Sequence, residues 1–181
     1  TFDETVRGID EAARAGLEIV LSFVTCADNA ADFPAFVELV AARWPRARVA
    51  LSVAAASTDV VPLEPRIVPR YRDVMPHLAA GVALARARGL AVSGFESMCG
   101  MPLCLVPREA ADAARFAALA ETPPDGGEFV KPEPCSRCAL ERRCFGVRRS
   151  YAALYGTGEL APVAASALAD GGGTGSSPSQ P

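Results

Sequence analysis

Three cysteines fall within ten residues in Cys135-Ser-Arg-Cys138-Ala-Leu-Glu-Arg-Arg-Cys144. Their spacing is C-x2-C-x5-C. Two cysteines separated by two residues can turn both sulfurs toward one centre across a tight turn. Five more residues give the third a longer arm. A fourth, Cys104 in Gly100-Met-Pro-Leu-Cys104, enters from a separate loop. Four thiolates form a complete ligand set for zinc or an iron–sulfur cluster. The usual second half of a zinc module, another C-x2-C or an H-x3-5-H, is absent, so spacing alone leaves iron–sulfur and zinc level. The metal ligands read from the sequence are therefore Cys104, Cys135, Cys138 and Cys144. Such a knot would also staple a stretch that is poor in regular structure.

The other candidates are weaker. Cys99 lies five residues before Cys104 and is the alternative fourth ligand, although a buried inert cysteine is the more frequent outcome. Cys26, at the tip of the first expected strand, reads as a small apolar residue. His77 is the only histidine and has no partner at ligand spacing. Asp3-Glu4 and Asp10-Glu11 fall on the solvated face of an amphipathic helix. The run Gly171-Gly-Gly-Thr-Gly175 follows no strand, opens no helix and lacks the lysine of a phosphate loop.

Composition bounds what these residues can belong to. Half of the 181 residues are apolar and the formal net charge is −3. No basic surface argues for nucleic acid or an anionic membrane, and no apolar run reaches the ~18 to 20 residues of a membrane span. The start lacks an initiator methionine and the features of a signal peptide. A cytoplasmic, reducing location follows, where clustered cysteines bind metals more often than they form disulfides.

The elements that must carry the cysteines follow a regular rhythm. A helix is expected over 3–15, with Val6, Ile9 and Ala13 on one face. A strand follows over 17–25, apolar on both faces, as expected of a parallel strand covered by helices. A helix over 32–44 capped by Asp32, a strand over 48–54, a helix over 74–88 capped by Asp73, and a strand over 90–95 complete the series. Pro76 falls in the first turn of the third helix, where its missing N–H costs little. The fold class is α/β, a partial (β/α) barrel with parallel strands, followed by a small cysteine-rich extension. Three strands close no barrel, and strand 17–25 leaves an apolar edge. The expected partner is a missing N-terminal half of the barrel. Working residues in such folds sit at the C-terminal ends of the strands, which nominates Thr25, Asn29, Ser57 and Glu96 for small-molecule contact. Beyond residue 106 come an alanine-rich helix over 108–119, a loop over 122–134, the cysteines, a short helix over 147–155, and a Gly/Ser/Pro tail over 163–181 expected to be disordered.

Residues 5–29, with Ala-Gly-Leu-Glu-Ile-Val-Leu-Ser-Phe-Val-Thr and Asn29, resemble the second half of the barrel of radical SAM enzymes. Pro102-Leu-Cys104, Cys135-x2-Cys138-x5-Cys144-Phe-Gly146 and Tyr151-x3-Tyr155-Gly156 resemble the SPASM or twitch extension of that family. The resemblance implies the C-terminal half of a (β/α) barrel of TIM-barrel type over 1–106 and a cluster-binding extension over 107–162. In the intact enzyme it implies a 4Fe-4S cluster that cleaves S-adenosylmethionine, and a radical that modifies a small-molecule or peptide substrate. Cys104, Cys135, Cys138 and Cys144 would hold an auxiliary 4Fe-4S cluster. Arg148 stands where the full SPASM pattern has a further cysteine, which fits the single-cluster twitch form better. The C-x3-C-x2-C motif of the SAM-cleaving cluster is absent from these residues, so the chain is expected to be inactive alone. The rival expectation is a zinc-stapled α/β binding module with no redox chemistry.

Overall fold

The computed structural model describes residues 1–56, 63–107, 115–116, 118–123 and 126–169. The first helix, α1 (Phe2–Arg14), opens on a capping box in which Thr1 Oγ1 accepts from the Glu4 N–H and the Glu4 carboxylate accepts from the Thr1 amino group and hydroxyl. Asp10 leaves the helix surface to bind Arg43 through both carboxylate oxygens and to accept from Trp44 Nε1 at 2.9 Å. The Arg43 hydrogen bonds hold its carboxyl down at about 2. The expected solvated carboxylate is instead the tie between α1 and the end of the next helix.

Three strands follow, β1 (Val20–Thr25), β2 (Arg48–Val53) and β3 (Val92–Ser93), separated by α2 (Phe33–Arg43) and α3 (Tyr71–Ala87). They form one parallel sheet in the order β1-β2-β3, with Val20 opposite Arg48 and Ala50 opposite Ser93. Sequential parallel strands joined by right-handed crossovers carry both helices to the same face, and α2 packs on α3 there. That face holds the core: Phe33, Val37 and Val40 of α2, Val49 and Leu51 of β2, and Leu78 and Ala85 of α3 are buried. Phe33 fills the notch left by Gly81, where an added Cβ would sit 2.3 Å from the ring. The opposite face of β1 is open, with Val20 48% and Val24 54% exposed. The expectation of cover on both faces is thus corrected, because the sheet is wound on one side only.

The boundaries of α3 also differ. It begins three residues before the expected start, with Arg70 as N-cap and no side-chain cap from its own sequence. Its first N–H, that of Tyr71, is donated to Tyr151 Oη at 3.0 Å. The earlier start moves Pro76 from the first turn into the helix interior.

The rest of the described chain is built from very short elements. Strands β4 (Phe129–Val130) and β5 (Val147–Arg148) pair antiparallel inside a region expected to be loop and helix. The helices are α4 (Arg149–Tyr155) and α5 (Ala165–Ala169). The helix expected over 108–119 lies mostly outside the described residues, as do 170–181. The start of the expected disordered tail is structured: Val163 and Leu168 pack against the core. The two regions meet at stacked rings, Tyr71 on Tyr151 with centroids 4.0 Å apart. Tyr155 Oη donates to the Val68 carbonyl at 2.8 Å.

No helix among the described residues is long and apolar enough to cross a membrane.

Candidate metal centre

Tight 3-10 turns, not helices or strands, present the cysteines. Cys104 lies in the turn Leu103–Leu105, which follows β3 by way of a compact loop. Cys135 lies in the turn Glu133–Arg137, Cys138 ends it, and Cys144 ends the next turn, Glu141–Arg143. The Cys138 N–H donates to the Cys135 carbonyl at 3.0 Å, so the C-x2-C segment folds back on itself. Gly146 then brings the chain close against β4. Its φ is +96°, and an added Cβ would lie 2.5 Å from the Val130 carbonyl oxygen.

Cys104, Cys135, Cys138 and Cys144 line one cavity. Cys99 does not; it is exposed on the loop after β3, where its carbonyl accepts from the Val53 N–H at 2.7 Å. Cys26 lies at the end of β1 and is also absent from the lining. All six cysteines are free thiols. The remaining wall is largely apolar, made by Pro102, Leu140, Leu160 and Pro162, with Lys131 and Glu141 at one side. Among the described residues no three Cys, His, Asp or Glu side chains are gathered closely enough to hold a single metal ion.

The surroundings treat the sulfurs as acceptors. Leu103 and Gly146 donate backbone N–H bonds to Cys144 Sγ at 3.4 and 3.3 Å, and Val163 donates to Cys138 Sγ at 3.3 Å. The backbone at Ala161 favours the Cys104 thiolate. Burial opposes ionisation. It pushes the Cys104 thiol up to about 11 and raises those of Cys135 and Cys144, while the N–H donors and the Lys131 ammonium pull the other way. Without a cation the cavity favours neutral thiols; a bound metal inverts this balance and takes the thiolates. The chemistry of the donor set fits a thiolate-bound metal: four sulfurs on one cavity, backbone N–H groups on two of them, and largely apolar walls.

Arg148 supports the site from below. It is 7% exposed, pairs with Glu128, donates to the Met98 carbonyl at 2.5 Å and lies over the Phe129 ring at 4.8 Å. The residue that interrupts the expected cysteine series therefore ties β4 and β5 to the loop that delivers Cys104.

The strand-tip candidates are placed less favourably for binding. Thr25 is fully buried, and its Oγ1 has no hydrogen-bond partner among the described residues. Asn29 spends both ends of its amide on the turn after β1, accepting from the Cys26 N–H and donating to the Val24 carbonyl. Glu96 pairs with Arg115 at 2.9 Å. Ser57 lies outside the described residues. None of the three that are described lines the cysteine cavity.

Sequence reasoning missed Glu159. Arg70 Nε and Arg72 Nε both lie 3.1 Å from its Oε1, and Tyr151 Oη donates to its Oε2 at 2.5 Å. An acidic residue next to a glycine-rich stretch carries no signal of such partners. Only the Tyr151-x3-Tyr155 spacing marked the neighbourhood.

No protein-family model, no curated protein and no solved structure matches the chain.

Proposed function

We propose that Cys104, Cys135, Cys138 and Cys144 hold a 4Fe-4S cluster, and that the chain is the C-terminal part of a radical SAM enzyme in which this cluster is auxiliary. The observation that carries the proposal is the meeting of the distant Cys104 with the clustered Cys135, Cys138 and Cys144 on one cavity, with backbone N–H groups directed at two of the sulfurs. A single zinc ion with ~2.3 Å bonds draws its four sulfurs to within about 4 Å of one another. A cluster is larger and takes its four thiolates at wider separations.

When bound, the cluster supplies a reversible one-electron site. The chain's own residues set its surroundings. The Leu103, Gly146 and Val163 N–H groups offset negative charge on the sulfurs, Lys131 adds a cation nearby, and Pro102, Leu140, Leu160 and Pro162 restrict water. The S-adenosylmethionine and its own cluster belong to residues outside this chain. The uncovered face of β1 and its outer edge are where the other half of a (β/α) barrel would close, and the substrate, a peptide or small molecule, would lie at the C-terminal ends of the strands.

Anaerobic reconstitution with iron and sulfide tests the reading. The expected product is coloured and carries about four iron and four sulfide per chain. Protein that instead takes up one zinc, binds no sulfide and stays colourless is the zinc-stapled module.

A further inference from the structure

The segment 156–163 touches both the cysteine cavity and the Glu159 cluster. It leaves α4 at Gly156, whose φ is +72°, and has no regular structure up to α5. Leu160 and Pro162 form part of the cavity wall, and the Val163 N–H bonds Cys138 Sγ. Glu159 is the segment's charged anchor to the sheet region. Its carboxylate is 16% exposed and binds Arg70, Arg72 and the Tyr151 hydroxyl. A groove on the outer side is lined by Tyr71, Arg72, Met75, Leu105 and Glu159, and Cys104 lines this groove as well as the cavity. One short strap thus lies between the groove and the cavity, with Cys104 bordering both.

We propose that 156–163 is a lid on the cysteine centre, latched by Glu159, and that its opening joins the groove to the cavity and exposes Cys104 and Cys138. Three features make the segment suited to this. Gly156 and Gly158 flank the latch and give the backbone freedom to swing. The latch itself is a compact set of charged contacts at Glu159, beside Leu160 and Val163, which pack against the core. The lid's bond to sulfur is a single N–H···S contact, which is weak and reforms readily. The proposal concerns the same site as the metal reading, but the lid is a property of the chain and is tested without metal.

The experiment uses the full 181-residue chain, stripped of metal and fully reduced, and follows iodoacetamide alkylation of each cysteine by mass spectrometry. Cys99 is the internal standard, exposed and away from the cavity. In the wild type, Cys104 and Cys138 should react at least tenfold more slowly than Cys99. Glu159→Gln keeps the shape and removes the charge; it should speed both by about tenfold or more, in line with loss of a charge-assisted contact, while Cys99 is unchanged. Tyr151→Phe keeps the ring stack and should give a smaller increase at the same two cysteines. Equal rates at Cys99, Cys104 and Cys138 in the wild type would show that no lid is closed. Unchanged rates in Glu159→Gln, or faster reaction of every cysteine together with loss of the folded circular dichroism signal, would make Glu159 an ordinary structural residue. Each of those outcomes overturns the lid, and none depends on whether iron or zinc is the metal.

Discussion

The sheet region and the cysteine region are held together by different physics. In the first, apolar residues at helical and strand periods bury one another: Phe33, Val37, Val40, Leu51 and Leu78 are all at or near complete burial. In the second, two-residue strands and 3-10 turns bury fewer large side chains, among them Phe129, Leu140, Val147 and Tyr151, and the last three join the core of the sheet region. Its backbone donors turn instead to sulfur and to one another. A region of this kind buries less area to offset its own ordering and, on the proposed reading, gains stability from what its cysteines hold. The sheet region does not.

The largest expected effect follows from that contrast. Removing the metal, or replacing Cys138 with Ser, should lower the stability of the cysteine region by several kcal/mol and weaken amide-exchange protection over 129–155 without unfolding it. Protection in β1 and β2 should persist. Simultaneous loss of protection in both regions would mean that they form one cooperative unit. The converse change comes next. Leu78→Ala removes a fully buried side chain of α3 and should destabilise the sheet region by about 3 to 5 kcal/mol, leaving the metal content per folded chain unchanged.

A smaller effect is expected at the joint. Tyr155→Phe deletes one hydrogen bond to the Val68 carbonyl and should cost about 1 kcal/mol, read as a shift in denaturant midpoint. The least is expected from acid. The Asp10 carboxyl is held at about 2 against an ordinary 3.8, so its contribution is complete above the higher value and is lost as pH falls through the lower. Asp10→Asn should lower stability at neutral pH, and its deficit against the wild type should shrink as pH falls from about 4 to about 2. An unaltered acid limb in that variant would remove Asp10 as the tie between α1 and α2.

The same contrast governs what the sequence discloses. Apolar periodicity made α1, α2, β1 and β2 legible to within a few residues, because in that region local pattern and burial coincide. The start of α3 was not legible, since its first N–H is capped by a tyrosine 80 residues away. Nor were β4 and β5, whose two-residue pairing leaves no period to detect. Within the site, cysteine count and spacing pointed to Cys135, Cys138 and Cys144. The choice of Cys104 over Cys99 depends on the turn at Leu103–Leu105, which faces one thiol into the cavity and leaves the other outside. Arg148 and Glu159 were illegible because a charged residue in a loop-rich stretch looks solvated until its partners are known.

The central claim is that one centre is shared by these four cysteines and not by Cys99. Metal content per chain in Cys104→Ser and Cys99→Ser, purified and reconstituted side by side, tests it most directly. Cys99→Ser should match the wild type, and Cys104→Ser should lose most of its metal. Retention by Cys104→Ser with loss in Cys99→Ser, or equal content in both, would contradict the assignment.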